Sequence, residues 1–532
     1  MESTFRKSMA WLHTWAGVVI GSVLFAIFWM GTLSVFDKEI DRWMMPGTRL
    51  APSMHSVSLD RVAHAVTATL PADASQWRIN LPTERVPVLR LSYQDGAGNA
   101  IVRQIDPASY QLIPDQGTRA GTGFIFPFHY GLHLKWMDLG EWLVGLAAMT
   151  MLVLLVSGVI IHKKIFAEFF TFRPARRLQR SSLDLHNLTG VLWLPFHFVI
   201  TLSGLIIFIG VYFPQAHLGA YGSGNEAKAA YTAEAYGSYT RPKANQPGTL
   251  ASLDAMASHA EREWAGGRPF LVRVWHPQDA NSYVEVRRSY AQDITMNRDQ
   301  IYFDASTGAV LHRFEAAPVM TVQRFISGLH FIQFEHWTLR WLYFLAGLSG
   351  CVMIATGFLF WLEARRAQHA KKGLAGVRMV EALTLGSVTG IIIATLAFFI
   401  ANRLLPPSPL LGASFAGTGR AELEMWVFYL VWILTFAHAA WRVRADPATQ
   451  PARRAWREQS GAIAALAVLA VALNWITTGD HLWRALGAGL YGVAGMDVLL
   501  LLGAAVAGWT ARRLRSRTVA STTVAPREAD HA

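Results

Sequence analysis

The chain has 532 residues, 52% hydrophobic and 16% charged, with a mean hydropathy of +0.26; soluble domains carry about 25% charged residues. This excludes a soluble enzyme or a disordered chain, and the single cysteine, Cys351, excludes an intrachain disulfide scaffold or thiolate cluster. The net charge of +12 has to be located before it suggests nucleic acid, because membrane proteins concentrate Lys and Arg on one side.

A bilayer is crossed by about 20 mainly apolar residues. Eight such helices are predicted, at 15–36, 141–161, 191–213, 341–362, 383–402, 425–441, 461–476 and 490–509. The first follows Arg6 and Lys7, as a signal peptide would. It leads into Asp37, Lys38 and Glu39 rather than a small-residue cleavage site, and so reads as a retained anchor. With the N-terminus cytoplasmic, the inner segments hold 23 Lys and Arg and the two short outer loops hold 3. That asymmetry places both termini inside. The positive charge is then a topology signal, and no nucleic-acid motif accompanies it.

The predicted organisation is an integral-membrane, mainly α-helical bundle with two small α+β modules outside. Helix one covers 1–36 and the first module 37–128. Helices two and three, with a basic inner loop, cover 129–213, and the second module covers 214–326. Helix four covers 327–366, a four-helix extension 367–510 and a basic tail 511–532. Each module has a helical stretch, near Leu59–Leu70 and Leu253–Trp264, and a strand that turns at Asp106 or Asp304.

The unit of helix, module and helix occurs twice. His13-x3-Gly17 in helix one matches His186-x3-Gly190 in helix three. Gly31 and Gly204 each follow those histidines by 18 residues. Gly131-Leu132-His133 and Gly328-Leu329-His330 open helices two and four. Ser157-Gly158 and Thr356-Gly357 stand near their ends. Each membrane face therefore receives one histidine per repeat, His13 with His186 inside and His133 with His330 outside. Two imidazoles facing each other across a bundle supply the axial ligands of a haem iron. The glycines one turn after His13 and His186 share a helical face with them and leave room for a flat macrocycle. They also suit plain helix packing. A single interfacial histidine is commonly structural; four matched ones at membrane depth favour function.

His129 lies four residues before His133 and is a rival ligand. His197 lies 11 residues after His186 on nearly the same face, about 16 Å deeper, and follows Pro195; it suits a deeper ligand, a proton donor or a buried structural role. No third or fourth ligand completes a zinc site with His129-x3-His133. There is no phosphate-binding P-loop, nucleophile elbow or dinucleotide fingerprint. Electrons would therefore come from a separate donor, a quinol or a cytoplasmic reductase.

Trp11-Leu12-His13-Thr14-Trp15-Ala16-Gly17 resembles the opening of the PepSY-associated transmembrane helix family. Asp184-Leu185-His186-Asn187-Leu188-Thr189-Gly190, the two Gly-Leu-His triplets and Asp304-Ala305-Ser306-Thr307-Gly308 resemble further parts of it. The resemblance spans about 5–366 and leaves helices five to eight outside. It implies a bacterial inner-membrane protein of iron uptake that carries two haem b groups on His13, His186, His133 and His330. Its implied reaction is transfer of electrons across the bilayer to a periplasmic ferric siderophore. Reduction loosens such a chelate, because hard oxygen ligands prefer Fe(III). Phe124, Phe126, Phe128, Tyr130 and Trp136 would shape the outer dock or form an interfacial belt. Two rivals stand beside this reading. In one, the modules bind peptides or envelope proteins and the helices only anchor them. In the other the chain transports the siderophore or iron, with Asp497 among the few acidic residues in its helices.

Overall fold

A computed structural model describes residues 3–51, 57–67, 70–71, 74–94, 100–162, 172–173, 177–296, 299–406, 419–445 and 451–519. Residues 163–171 and 174–176 of the basic loop and residues 520–532 of the basic tail lie outside these. The helices are α1 (Ser3–Ser34), α2 (Asp37–Met44), α3 (Leu59–Thr67), α4 (Phe126–Gly131), α5 (Leu139–Ile161), α6 (Leu178–Leu192), α7 (Leu194–Ile207), α8 (Ile209–Tyr212), α9 (Gln215–Tyr221), α10 (Asn225–Tyr236), α11 (Leu253–Glu263) and α12 (Pro318–Phe331). They continue with α13 (Trp337–Lys371), α14 (Gly376–Leu404), α15 (Arg420–Ala445), α16 (Arg453–Thr478), α17 (Leu482–Gly487) and α18 (Tyr491–Val519). The chain forms two compact units, one of Met1–Met44, Gly117–Phe198 and Tyr343–Ala532, the other of Met45–Gln116 and Val199–Leu342.

Among the described residues, seven helices are long and apolar enough to cross a membrane, and the pair α6 and α7 makes an eighth if it counts as one span. That pair is bent by 65° at Trp193. Pro195 in the first turn of α7 has no N–H to continue the ladder and its ring crowds the preceding turn, which breaks the helix there. The chain is thus a multi-pass membrane protein with small strand-bearing modules. In the first unit α14 is the most enclosed span, with 83% of its apolar window buried against 22–44% for the other spans. Asp497 on α18 is buried. It accepts from Trp43 Nε1 at 2.8 Å and from Asn474 Nδ2 at 3.4 Å, which makes it part of a satisfied polar contact.

In the second unit the strands of both modules join into one antiparallel sheet of eight, in the order β4-β3-β2-β1-β5-β6-β7-β8. The first module supplies β1 (Gln76–Asn80), β2 (Leu89–Gln94), β3 (Ala100–Ile105) and β4 (Leu112–Ile113). The second supplies β5 (Pro269–Trp275), β6 (Tyr283–Arg288), β7 (Gln300–Asp304) and β8 (Val310–Phe314). The seam is β1 against β5, with Arg78 opposite Arg273. Alternation puts Trp77, Ile79, Val272, Val274, Val284 and Phe303 on one face. There they form a core with Leu59, Val62 and Val66 of α3 and Leu253, Met256 and Ala260 of α11.

The two modules also exchange helix caps. Asp254 accepts from Leu59 N at 2.6 Å and Ser58 Oγ at 2.7 Å; Asp60 accepts from Leu253 N and Ser252 Oγ, both at 2.6 Å. Each carboxylate satisfies amide and hydroxyl donors at the start of the other module's helix.

Carboxylates also tie down the turn and edge of this unit. Hydrogen bonds from Arg313, and secondarily from His259, hold Glu263 down at about 2 against the opposing effect of burial. At Asp304 burial acts upward, but bonds from Ser306, Arg241 and Thr307 outweigh it and hold the carboxyl below the usual range. Both folded-state pKa values lie below those of an unfolded chain, about 4. Their contribution is therefore fully present above about pH 4 and is lost as pH falls toward 2. Protection of this sheet's backbone amides, measured against the intrinsic exchange rate at each pH, is expected to fall over that window, and Glu263→Gln is expected to flatten the response.

Candidate functional site

Four histidines share one construction. His186 Nδ1 lies 2.8 Å from Met353 O. His13 Nδ1 lies 3.0 Å from Ser157 Oγ, whose own proton goes to Val153 O. His129 Nδ1 lies 2.9 Å from Ile27 O and His330 Nδ1 2.8 Å from Ile200 O. A carbonyl only accepts, so Nδ1 is the protonated nitrogen and the neutral ring keeps its lone pair on Nε2. This is the arrangement by which a protein fixes the tautomer of a metal-binding imidazole.

Each of the four rings also lies over a glycine. A Cβ added at Gly158 would meet the His13 ring at 3.3 Å, at Gly357 the His186 ring at 3.2 Å, at Gly31 the His129 ring at 2.7 Å and at Gly204 the His330 ring at 2.9 Å. The glycines therefore serve imidazoles on neighbouring helices. Gly17 and Gly190 instead line an open cavity.

The internal repeat appears in these contacts. His13 and His186, Ile27 and Ile200, and Gly31 and Gly204 are each 173 residues apart. By contact, then, the counterpart of His330 is His129. His133 is built differently. Leu132 and His133 both have positive φ, 48° and 56°, just past the end of α4. The His133 ring turns back to stack on Phe124, with 4.8 Å between centroids and a 15° interplanar angle. Its Nε2 donates to Phe124 O at 2.9 Å, so the ring is spent on bracing residues 124–133. The triplet Gly328-Leu329-His330, by contrast, lies inside α12. The two Gly-Leu-His triplets match as sequence and diverge as structure.

His13 and His186 face each other with ring centroids 6.3 Å apart and planes at 84°. They line a cavity of about 640 Å³ between α1, α5, α6 and α13, walled by Val18, Leu24, Met151, Ile354 and Phe358. Cavities of roughly 300–1,000 Å³ house cofactor-sized ligands. The 6.3 Å centroid separation leaves room for a single metal ion about 2.0 Å from one nitrogen of each ring, the spacing a bis-histidine haem would need. The polar residues around the cavity include Arg6 and Arg365, cations suited to the carboxylates of such a ligand. Among the described residues no group of three or more His, Cys, Asp or Glu could hold a bare metal ion.

His197 is fully buried on α7. Its ring packs edge-on against Phe28 at 5.9 Å and Phe196 at 5.6 Å, and a Cβ at Gly350 would meet it at 3.2 Å. It therefore has a tight aromatic seat, while the cavity is lined by His13 and His186.

The fold and these contacts define a multi-pass membrane protein with a twofold-repeated histidine and glycine framework and a paired-module sheet. The chain belongs to the PepSY-associated transmembrane family, whose description is "PepSY-associated TM region" and whose pattern matches residues 10–364. It is also 27% identical over 307 residues to the Pseudomonas aeruginosa protein named "uncharacterized protein PA4219", covering 54% of this chain and 73% of that one. Helices α14 to α18 lie beyond the matched residues.

Proposed function

We propose that this chain is a haem b-carrying oxidoreductase of the bacterial inner membrane that passes electrons outward to a periplasmic ferric siderophore or related chelate. One observation carries the reading: His13 and His186 face each other 6.3 Å apart on an apolar cavity, each with Nδ1 engaged. In this reading they hold one haem, and His129 supplies an imidazole of a second level. Bound haem supplies a one-electron carrier whose potential depends on axial ligand, burial and hydrogen bonding. The chain's own groups set those terms. The carbonyl and hydroxyl acceptors on Nδ1 raise ligand basicity, and the apolar wall excludes water.

Fourteen residues separate His13 from Ile27, the acceptor of His129. That is about 21 Å along α1, so the two levels lie toward opposite ends of one span. The 23 to 3 distribution of Lys and Arg supports a cytoplasmic His13 level. A quinol or cytoplasmic reductase delivers electrons there.

The test is a pyridine haemochrome assay on the purified full-length protein. About two haems per chain, with a low-spin reduced spectrum, is the expected result. A colourless protein from haem-replete cells overturns the proposal.

A further inference from the structure

We propose that the face of the sheet opposite α3 and α11 is a binding surface for a small polyanion bearing several carboxylates. On the reading above, this polyanion is the ferric chelate itself. The register places Arg78 of β1 directly opposite both Ser92 of β2 and Arg273 of β5. Asn80 is opposite Arg90, and Arg273 is opposite Glu285 of β6, two residues before Arg287. With a side-chain period of two, Arg90, Arg78, Arg273 and Arg287 all stand on the face that the core residues leave.

They occupy four consecutive strands, β2-β1-β5-β6. Three steps of about 4.8 Å make a row about 14 Å across. That width suits a chelate with several carboxylates better than a single phosphate.

The charge on this row is unbalanced. Glu285, buried, is its one carboxylate and is shared by Arg273 at 3.5 Å and by Arg287. Among the described residues Arg78 hydrogen-bonds the neutral Ser92, at 3.3 Å, and Glu285 offsets only part of the repulsion from the neighbouring arginines. Among the described residues neither Arg78 nor Arg90 has a carboxylate partner. The Arg78 guanidinium is pushed below its usual range first by burial and then by Arg90 and Arg287. Like charges set opposite each other across strands are destabilising, so the fold bears a cost here that an anion would relieve. Guanidinium forks grip carboxylates bidentately. The face continues into Trp275, which lies under Arg273 at 5.0 Å and stacks on Tyr283 at 5.9 Å, giving an apolar wall beside the cations.

The experiment titrates full-length protein in neutral detergent with citrate and with ferric citrate by calorimetry. Binding that weakens with salt, and weakens about tenfold or more in Arg78→Gln/Arg90→Gln, is expected. Arg103→Gln is the control, because Arg103 is exposed but pairs with Leu91 and so lies on the helix-bearing face. Equal affinity in the double variant and the wild type overturns the proposal. So does a surface that ignores citrate and instead binds phosphatidylglycerol nanodiscs in an Arg78- and Arg90-dependent way, which would make it a lipid-headgroup site. A wild type that binds citrate in this pattern yet carries no haem supports this surface and removes the electron-transfer reading alone. If the double variant binds normal haem but its reduced haem is reoxidised more slowly by ferric citrate, both stand together.

Discussion

His129→Ala is expected to lower haem content from about two per chain to about one, while His133→Ala leaves both in place. The two residues are four apart in sequence and differ in which nitrogen the fold has claimed. His129 gives Nδ1 to Ile27 O and rests on Gly31, which leaves Nε2 with its lone pair. His133 gives Nε2 to Phe124 O and lies flat on that ring, so its remaining nitrogen sits on the side joined to the backbone. An acceptor that holds a ligand's other nitrogen typically changes metal affinity by about 10- to 100-fold; removing the ligand itself abolishes the site. His13→Ala and His186→Ala are each expected to remove the other haem. The measurement is haem per chain together with the reduced-minus-oxidised spectrum. Loss on His133→Ala with retention on His129→Ala would reject the contact-based repeat and restore the triplet-based one.

This contrast marks how far the sequence was readable. Hydropathy alone located seven spans, because burying backbone in lipid demands long apolar helices; the third, expected as one helix over 191–213, is instead the bent pair α6 and α7. The His-x3-Gly pairs at 13 and 186 were visible because α1 and α6 keep a regular period through them, and the structure brings those two histidines face to face. At the outer level the contacts favour a different residue, His129, from the one the triplets suggest, His133. Gly131-Leu132-His133 looks like Gly328-Leu329-His330, but α4 ends at Gly131 and throws the next two residues into positive φ. Spacing arguments fail across such a break. The match of His129 with His330 runs instead through the residues they touch, Ile27 with Ile200 and Gly31 with Gly204, each pair 173 residues apart; these ordinary apolar and small residues advertise nothing until a ring is seen against them. The sheet is a similar case. Each module's strands were legible one at a time, but β1 against β5 is a pairing some 195 residues apart. Only edge pairing in three dimensions reveals the joined face and its arginine row.

Glu381→Ala is expected to destabilise the chain by about 1–3 kcal/mol, the cost of taking a hydrogen-bonding partner from buried polar groups. Glu381 on α14 receives both arms of Arg366, at 2.9 Å and 3.2 Å, and the Ala452 amide at 2.9 Å. Glu381 and Arg366 are 2% and 6% exposed. Arg366 sits near the end of α13, just past the last residue of the family match, while Glu381 and Ala452 belong to the extension. One carboxylate thus fastens α13 to α14 and to the start of α16, the place where the family-matched residues meet the helices beyond them. Removing it leaves the guanidinium in a low-dielectric site with Glu363 at 3.2 Å as its remaining ion pair. The measurement is the thermal unfolding midpoint of detergent-purified protein. Replacing both partners with apolar residues, Arg366→Met with Glu381→Leu, is expected to recover most of the loss, since a well-packed apolar pair often equals a buried ion pair. The haem spectrum should be unchanged in the double variant, because His13 and His186 take their acceptors from α5 and from Met353 in the family-matched part of α13. A double variant no more stable than Glu381→Ala would mean that this junction depends on charge and geometry rather than on relieving a buried guanidinium that has lost one carboxylate.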